Sequence, residues 1–157
     1  MNREDMVHIP AGSFRMGSAD FYPEEAPVRE VEVSCFAIDR GPVTVAQFSS
    51  FVEETGYLTL AERAPHPAAY PEADPSLLLA GSAVFHPTPG PVPLNDPSSW
   101  WAYVPGASWR HPWGPNSDNS ARADHPVTHV AYEDADAYAK WACKQLPSEA
   151  EDRKSVV

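Results

Sequence analysis

The residues with the most obvious chemical potential sit in one aromatic stretch that contains Trp100, Trp101, Tyr103, Trp109, Arg110, His111 and Trp113. Indole rings stack on flat partners and a guanidinium donates hydrogen bonds, so Trp101, Trp109, Arg110 and His111 are candidates for lining a groove that takes a polypeptide. A competing reading has the same tryptophans packed inward as loop anchors, because each ring buries a large area while its N–H still needs a partner. His125 and His129, four residues apart with Asp124 adjacent, could be metal ligands on one strand face. A metal site needs a third protein ligand at useful spacing, which the sequence does not offer, so the pair reads as structural and no metal site is expected. Cys35 and Cys143 form neither a CxxC pair nor a disulfide framework and are expected to be buried, reduced thiols. The acidic pairs Glu24 with Glu25 and Glu53 with Glu54 read as solvated faces.

The elements that must position these groups are short. The chain of 157 residues holds 18 prolines and 8 glycines, and each proline removes a backbone donor and fixes φ, so brief elements joined by ordered loops are expected. Residues 6–18 suggest two small strands and a tight turn, and residues 20–27 a loop. From Val28 onward, Val31 and Val33 alternate with Glu30, Glu32 and Ser34, a strand with one wet face that must end or bulge at Cys35 and Phe36. Thr44 and Gln47 fit a capping box; Val45, Phe48, Phe51 and Val52 then share a helix face, and Gly56 is placed to end it.

Residues 61–126 lack periodicity but are too aromatic for a disordered linker, and they are expected to form a long ordered loop. A strand is predicted around residues 125–130, with His125, Val127 and His129 on one side and Thr128 and Val130 on the other. A helix should follow from about residue 133 to 144, with carboxylates at its start, lysines near its end and a small-residue face of Ala135, Tyr138, Ala139 and Ala142. Ser148 and Glu151 make a second capping box, announcing a helix that acquires no apolar face because residues 152–155 are all polar.

Composition narrows the function classes. A formal charge of −11 offers nothing to a nucleic-acid phosphate backbone or an anionic membrane, so neither is expected as a partner. No apolar run reaches the length of a membrane span, and the opening MNREDMVHIPAG is acidic where a signal peptide would be basic and then apolar. The expected location is the cytoplasm and the expected state a monomer.

Several short runs, taken together and in order, resemble the formylglycine-generating enzyme (sulfatase-modifying factor) family. They are MVHIPAGSFRMGS at 6–18, EEAP at 24–27, PVT at 42–44, FVEETGY at 51–57, GASWRHP at 106–112, DHPVTHV at 124–130 and LPSEAE at 146–151. The resemblance implies an α+β fold, loop-rich and C-type-lectin-like, with little regular secondary structure. It implies oxidation of the cysteine in a Cys-x-Pro-x-Arg motif of a sulfatase polypeptide to Cα-formylglycine, using dioxygen and copper(I) held by two thiolates, a soft ligand set suited to that ion. Copper and calcium are expected in full-length members, and the residues that hold them belong to the family's C-terminal half. Neither Cys35 nor Cys143 matches a catalytic position, so no catalytic residue is assigned in this chain. The 57–63 loop and the tryptophans are implied to form part of the substrate groove. A non-catalytic, lectin-like binding module of the same fold is the alternative.

The domain organisation expected is residues 1–151 as the N-terminal portion of one sulfatase-modifying-factor domain, followed by a non-native-looking tail at 152–157. The final hexapeptide DRKSVV is the translation of GATCGGAAGAGCGTCGTG, a common sequencing-library adapter string, and it departs abruptly from the family pattern. Genomic resequencing tests this expectation, and the same codons before a true stop would overturn it. Cys143 also departs from the glycine that the family places after Trp-Ala; with φ > 0 there, cysteine would cost about 1 kcal/mol.

Overall fold

The computed structural model describes residues 6–74 and 78–156; the expectations placed on residues 1–5 and on Val157 lie outside them. The chain divides into two compact units, one made of the residues up to Pro42 together with those from Lys144 onward, the other running from Val43 to Cys143.

In the first unit the two strands expected within residues 6–18 and the one expected from Val28 are joined by a fourth after Cys35, and the four form two antiparallel pairs. Strand β1 (Met6–Ile9) pairs with β4 (Phe36–Asp39), and β2 (Gly12–Met16) with β3 (Arg29–Val33). The alternation in β3 places Val33 inside while Glu30 and Glu32 face solvent, and the strand ends before Cys35 as the broken pattern requires. Helix α3 (Glu149–Ser155) packs against β2 and β3 but buries none of its residues. It extends past Glu151 into the expected tail. Its order comes from the Ser148 and Glu151 capping box and from Arg153 pairing with Glu149 one turn back at 3.0 Å.

The second unit carries the main core. Helix α1 (Val45–Thr55) has both halves of the Thr44 and Gln47 capping box, and Gly56 closes it at φ 67, a conformation that glycine adopts without Cβ strain. Its buried face of Val45, Phe48, Phe51 and Val52 meets Trp109 and Tyr138 in one cluster. Helix α2 (Tyr132–Trp141) supplies Tyr138 and is shorter than expected, its cap falling at Ala142. Cys143 follows in the left-handed region at φ 55. Cys143→Gly is therefore expected to stabilise this unit by about 1 kcal/mol and to raise its melting temperature in a calorimetric scan. An unchanged or lower transition would remove that account.

Three expectations are corrected. The 61–126 segment is not loop throughout, because β5 (Gly81–Phe85) and β6 (Trp101–Pro105) pair antiparallel, Gly81 opposite Pro105 and Phe85 opposite Trp101. Gly81 has a steric reason: a Cβ there would lie 2.5 Å from the Val104 carbonyl oxygen. The 125–130 segment is not a strand. His129 turns at φ 58, and the preceding carbonyls serve α1 instead, with Val45 N–H donating to His125 O and Ala46 N–H to Ala123 O, both at 2.9 Å. These carbonyls satisfy amides that a helix N-terminus cannot pair internally. Both cysteines are exposed and free rather than buried, Cys35 at the break between strands and Cys143 at a helix end where the chain turns outward. Among the described residues no helix is long and apolar enough to cross a membrane.

Candidate functional site

The hairpin of β5 and β6 forms one wall of an open groove of about 680 Å³ in the second unit, lined by Ser82, Phe85, Trp101, Pro112, Trp113, Thr128 and His129 among others. Strand alternation explains the exposed ring pair: Phe85 and Trp101 are register partners, and their rings meet edge-on with centroids 5.6 Å apart. His129 orients a hydroxyl in the groove. Its Nε2–H donates to the Pro112 carbonyl at 3.0 Å, and Nδ1 shares a hydrogen bond with the Ser82 hydroxyl at 2.9 Å. With both nitrogens used in this way, His129 acts as a hydrogen-bonded strut between two segments. Aromatic faces flanking one oriented hydroxyl can hold an extended polypeptide by stacking and a few polar contacts.

The sequence candidates separate. Trp101 lines the groove and is 45% exposed, as is appropriate for a stacking surface. Trp109 is 2% exposed and belongs to the core, edge-on to Phe48 with ring centroids 5.2 Å apart. Arg110 lies over the same indole, 4.2 Å from its centroid, and reaches Glu62 at 3.6 Å. The Nδ1–H of His111 donates to Ser117 O at 2.6 Å, holding the loop that follows. Of the four tryptophans in the aromatic stretch only Trp109 is a buried anchor; Trp113, 53% exposed, carries Arg122 over its ring at 4.5 Å. Nothing in the sequence marks Ser82, which lies in an unremarkable Gly-Ser-Ala run, and His129 reads there as a structural strand residue, whereas Trp113 falls among the tryptophans expected in the groove.

Behind this region a polar network fixes the 57–63 loop. Asp134 is fully buried and accepts from Ala131 N–H at 2.7 Å, Leu60 N–H at 3.0 Å and the Tyr57 hydroxyl at 3.1 Å. Thr59, also fully buried, holds Glu62 through both its N–H and its hydroxyl, and Arg63 pairs with Glu133. Glu62 in turn faces Arg110, so the 57–63 loop and the stretch after Trp109 are tied together. Burial, then the hydrogen bond to Asp134 and its charge, raise the Tyr57 hydroxyl above its ordinary value of 10.0. The unfolded chain therefore loses this proton first, and the contribution is present below about pH 10 and lost as pH rises through the folded value. Unfolding free energy should accordingly fall more steeply with pH above 10 in the natural chain than in Tyr57→Phe. Parallel slopes in denaturant titrations would contradict the assignment.

Comparison with known proteins gives consistent results. The FGE-sulfatase family, described as the sulfatase-modifying factor enzyme 1-like domain, matches residues 1–155. The formylglycine-generating enzyme of Mycobacterium tuberculosis is 56% identical over 147 residues, which cover 94% of this chain and 49% of that protein. The formylglycine-generating enzyme of Thermomonospora curvata is 46% identical over 155 residues, covering 93% and 46%. A Mus musculus relative named inactive C-alpha-formylglycine-generating enzyme 2 is 39% identical over 153 residues, covering 93% and 45%. The chain thus spans about half the length of the curated relatives it matches. With its α+β, loop-rich fold and a family match along almost its whole length, the chain belongs to the sulfatase-modifying factor enzyme 1-like family.

Proposed function

We propose that this chain provides the polypeptide-binding half of a formylglycine-generating enzyme that converts the cysteine of a Cys-x-Pro-x-Arg motif in a sulfatase to Cα-formylglycine, with dioxygen as oxidant. The observation that carries this reading is the open aromatic groove beside β5, whose volume of about 680 Å³ accommodates several residues of an extended chain. In this reading Trp101 and Trp113 stack on the bound segment, Ser82 hydrogen-bonds it, and His129 positions Ser82. Trp109, Arg110 and His111 support the groove through the core and the loop behind it.

The family's copper(I) requires two thiolates, and calcium requires a cage of oxygens. The donor set present here does not fit either group. Cys35 and Cys143 belong to different units, and no three His, Cys, Asp or Glu side chains among the described residues are placed to share an ion. No step through a metal is assigned to these residues. The proposal leaves copper and calcium to the portion of the family domain that the chain does not span. It also takes the enzyme as a cytoplasmic monomer without a nucleic-acid partner, and the charge of −11, which repels a phosphate backbone, supports the last point.

Co-expression of the full-length gene with a protein tagged Cys-x-Pro-x-Arg tests the reading by mass spectrometry of the tag cysteine. Conversion to the aldehyde is expected, and Trp101→Ala should raise the tag concentration needed for half-maximal conversion. An unmodified tag in the presence of folded, copper-supplied protein would overturn the catalytic reading. It would favour the second one, a non-catalytic, lectin-like binding module; the similarity to a relative named inactive supports the absence of catalysis in that reading.

A further inference from the structure

The Ser82 and His129 pair in the groove also has the form of a nucleophile with its base. The Ser82 hydroxyl lies 2.9 Å from His129 Nδ1, and the Nε2–H on the far side of the ring is held by the Pro112 carbonyl at 3.0 Å. When the ring is neutral, that carbonyl keeps the proton on Nε2, so the Nδ1 lone pair faces the hydroxyl. A hydroxyl within reach of a base that a third group orients is the arrangement used in covalent acyl transfer. Of the residues lining the groove only His129 can take up a proton, and no carboxylate or ammonium lines it. His129 is also set at φ 58, a conformation uncommon outside glycine that recurs at functional sites, where surrounding contacts hold it.

Strand β5 adds a donor for the negative charge that acyl transfer develops. His86 N–H donates to Trp100 O and Gly106 N–H to Ala80 O, both at 2.8 Å, so the hydrogen-bonded pairs of the hairpin fall at Ala80, Ser82, Val84 and His86. Ala83, opposite Tyr103, lies between bonded pairs and turns its N–H off the edge of β5, away from β6. Ala83 lines the groove, and its amide directly follows Ser82 in the chain, the position from which hydrolases supply one of the donors to an oxyanion.

We propose that Ser82 is an acyl-accepting nucleophile with His129 as its general base, giving the groove an esterase activity toward small aryl esters. Ser82 Oγ bonds to the ester carbonyl carbon as its proton passes to His129 Nδ1, and the Ala83 N–H donates to the oxyanion. The intermediate collapses by breaking the bond between that carbon and the aryl oxygen, which leaves as a phenol with the proton from Nδ1. Water repeats the sequence on the acyl-Ser82 ester, releasing the carboxylic acid and restoring the hydroxyl. Ester and water thus become acid and phenol, with no change of oxidation state. Phe85 and Trp101 offer faces to the leaving ring. A backbone carbonyl orients the imidazole but brings no full charge to the imidazolium, so the substrates are esters with good leaving groups. This activity does not depend on the groove's assignment as a sulfatase-binding surface, and conversion of a Cys-x-Pro-x-Arg tag is a separate result.

The test uses the 157-residue chain carrying Cys35→Ser and Cys143→Ser, because both thiols are exposed and would themselves react with esters. With 4-nitrophenyl acetate as the probe, nitrophenolate release is followed by absorbance and the acetylated residue is located by peptide mass spectrometry. Acetyl on Ser82 is expected, formed about a hundredfold faster than in His129→Gln, and Ser82→Ala should lose both the adduct and the turnover. The rate should climb with pH to a plateau as the base loses its proton, whereas unassisted attack driven by hydroxide climbs without one. If His129→Gln loses its native circular dichroism, the pH profile carries the comparison. No acetyl on Ser82, an undiminished rate in folded His129→Gln, or a rate without a plateau overturns the proposal.

Discussion

Phe48→Ala is expected to cost about 3–5 kcal/mol of the stability of the second unit, measured by denaturant unfolding followed through tryptophan emission. The side chain is 1% exposed and is surrounded by rings, edge-on to Phe51 and Trp109 at centroid distances of 5.4 and 5.2 Å and stacked on Tyr138 at 5.8 Å. Removing it deletes apolar contact with all three and leaves a cavity whose walls belong to α1, α2 and the loop carrying Trp109, which cannot all collapse inward together. Phe48→Leu keeps much of the volume and should cost less than half as much. A midpoint for Phe48→Ala close to that of the natural chain would mean that this aromatic cluster is not the core of the unit.

The second large effect is expected at Asp134. Alanine there would leave the part-buried amides of Leu60 and Ala131 and the Tyr57 hydroxyl without their acceptor. At about 1–3 kcal/mol for each stranded amide, Asp134→Ala should destabilise by about 2–6 kcal/mol. Asparagine keeps one oxygen acceptor but turns an NH₂ toward the remaining donors, so it should fall between aspartate and alanine. Hydrogen exchange provides the specific readout: the Leu60 and Ala131 amides should lose protection in both variants before the amides of α1 do. Uniform loss across the unit, with no local difference, would indicate that Asp134 acts only through overall packing.

The parts of the fold that were legible in the sequence are those where local rules and tertiary packing agree. In α1, the Thr44 and Gln47 box, the four-residue apolar face and Gly56 all specify one helix with the same two ends, and the structure has it. Strand β3 was equally plain because one face is wet. The hairpin of β5 and β6 was hidden because its strands are separated by a long proline-rich connection instead of a two-residue turn, so nothing local marks them as partners. The 125–130 segment misled for the opposite reason. Its β-branched Val127, Thr128 and Val130 suit a strand, but the His125 carbonyl, with that of Ala123, caps α1 and His129 reverses the chain at φ 58. The groove was only partly legible: Trp101 was marked by its residue type, whereas Ser82 matters through a histidine 47 positions away, a pairing that only the fold creates.

The division of the chain also has a consequence for synthesis. The second unit is one uninterrupted stretch, Val43 to Cys143, while the first is assembled from the residues before it and those after it. As the polypeptide emerges from the ribosome, both strand pairs of the first unit are available early, but α3, which packs on β2 and β3, is made only after the whole second unit. The aromatic core can therefore close while the first unit still awaits its helix. On this ordering, a nascent chain tethered through an added linker and arrested with Cys143 outside the exit tunnel and α3 still within it would have a second unit that already resists protease, while the β2 and β3 pair remains uncovered by α3.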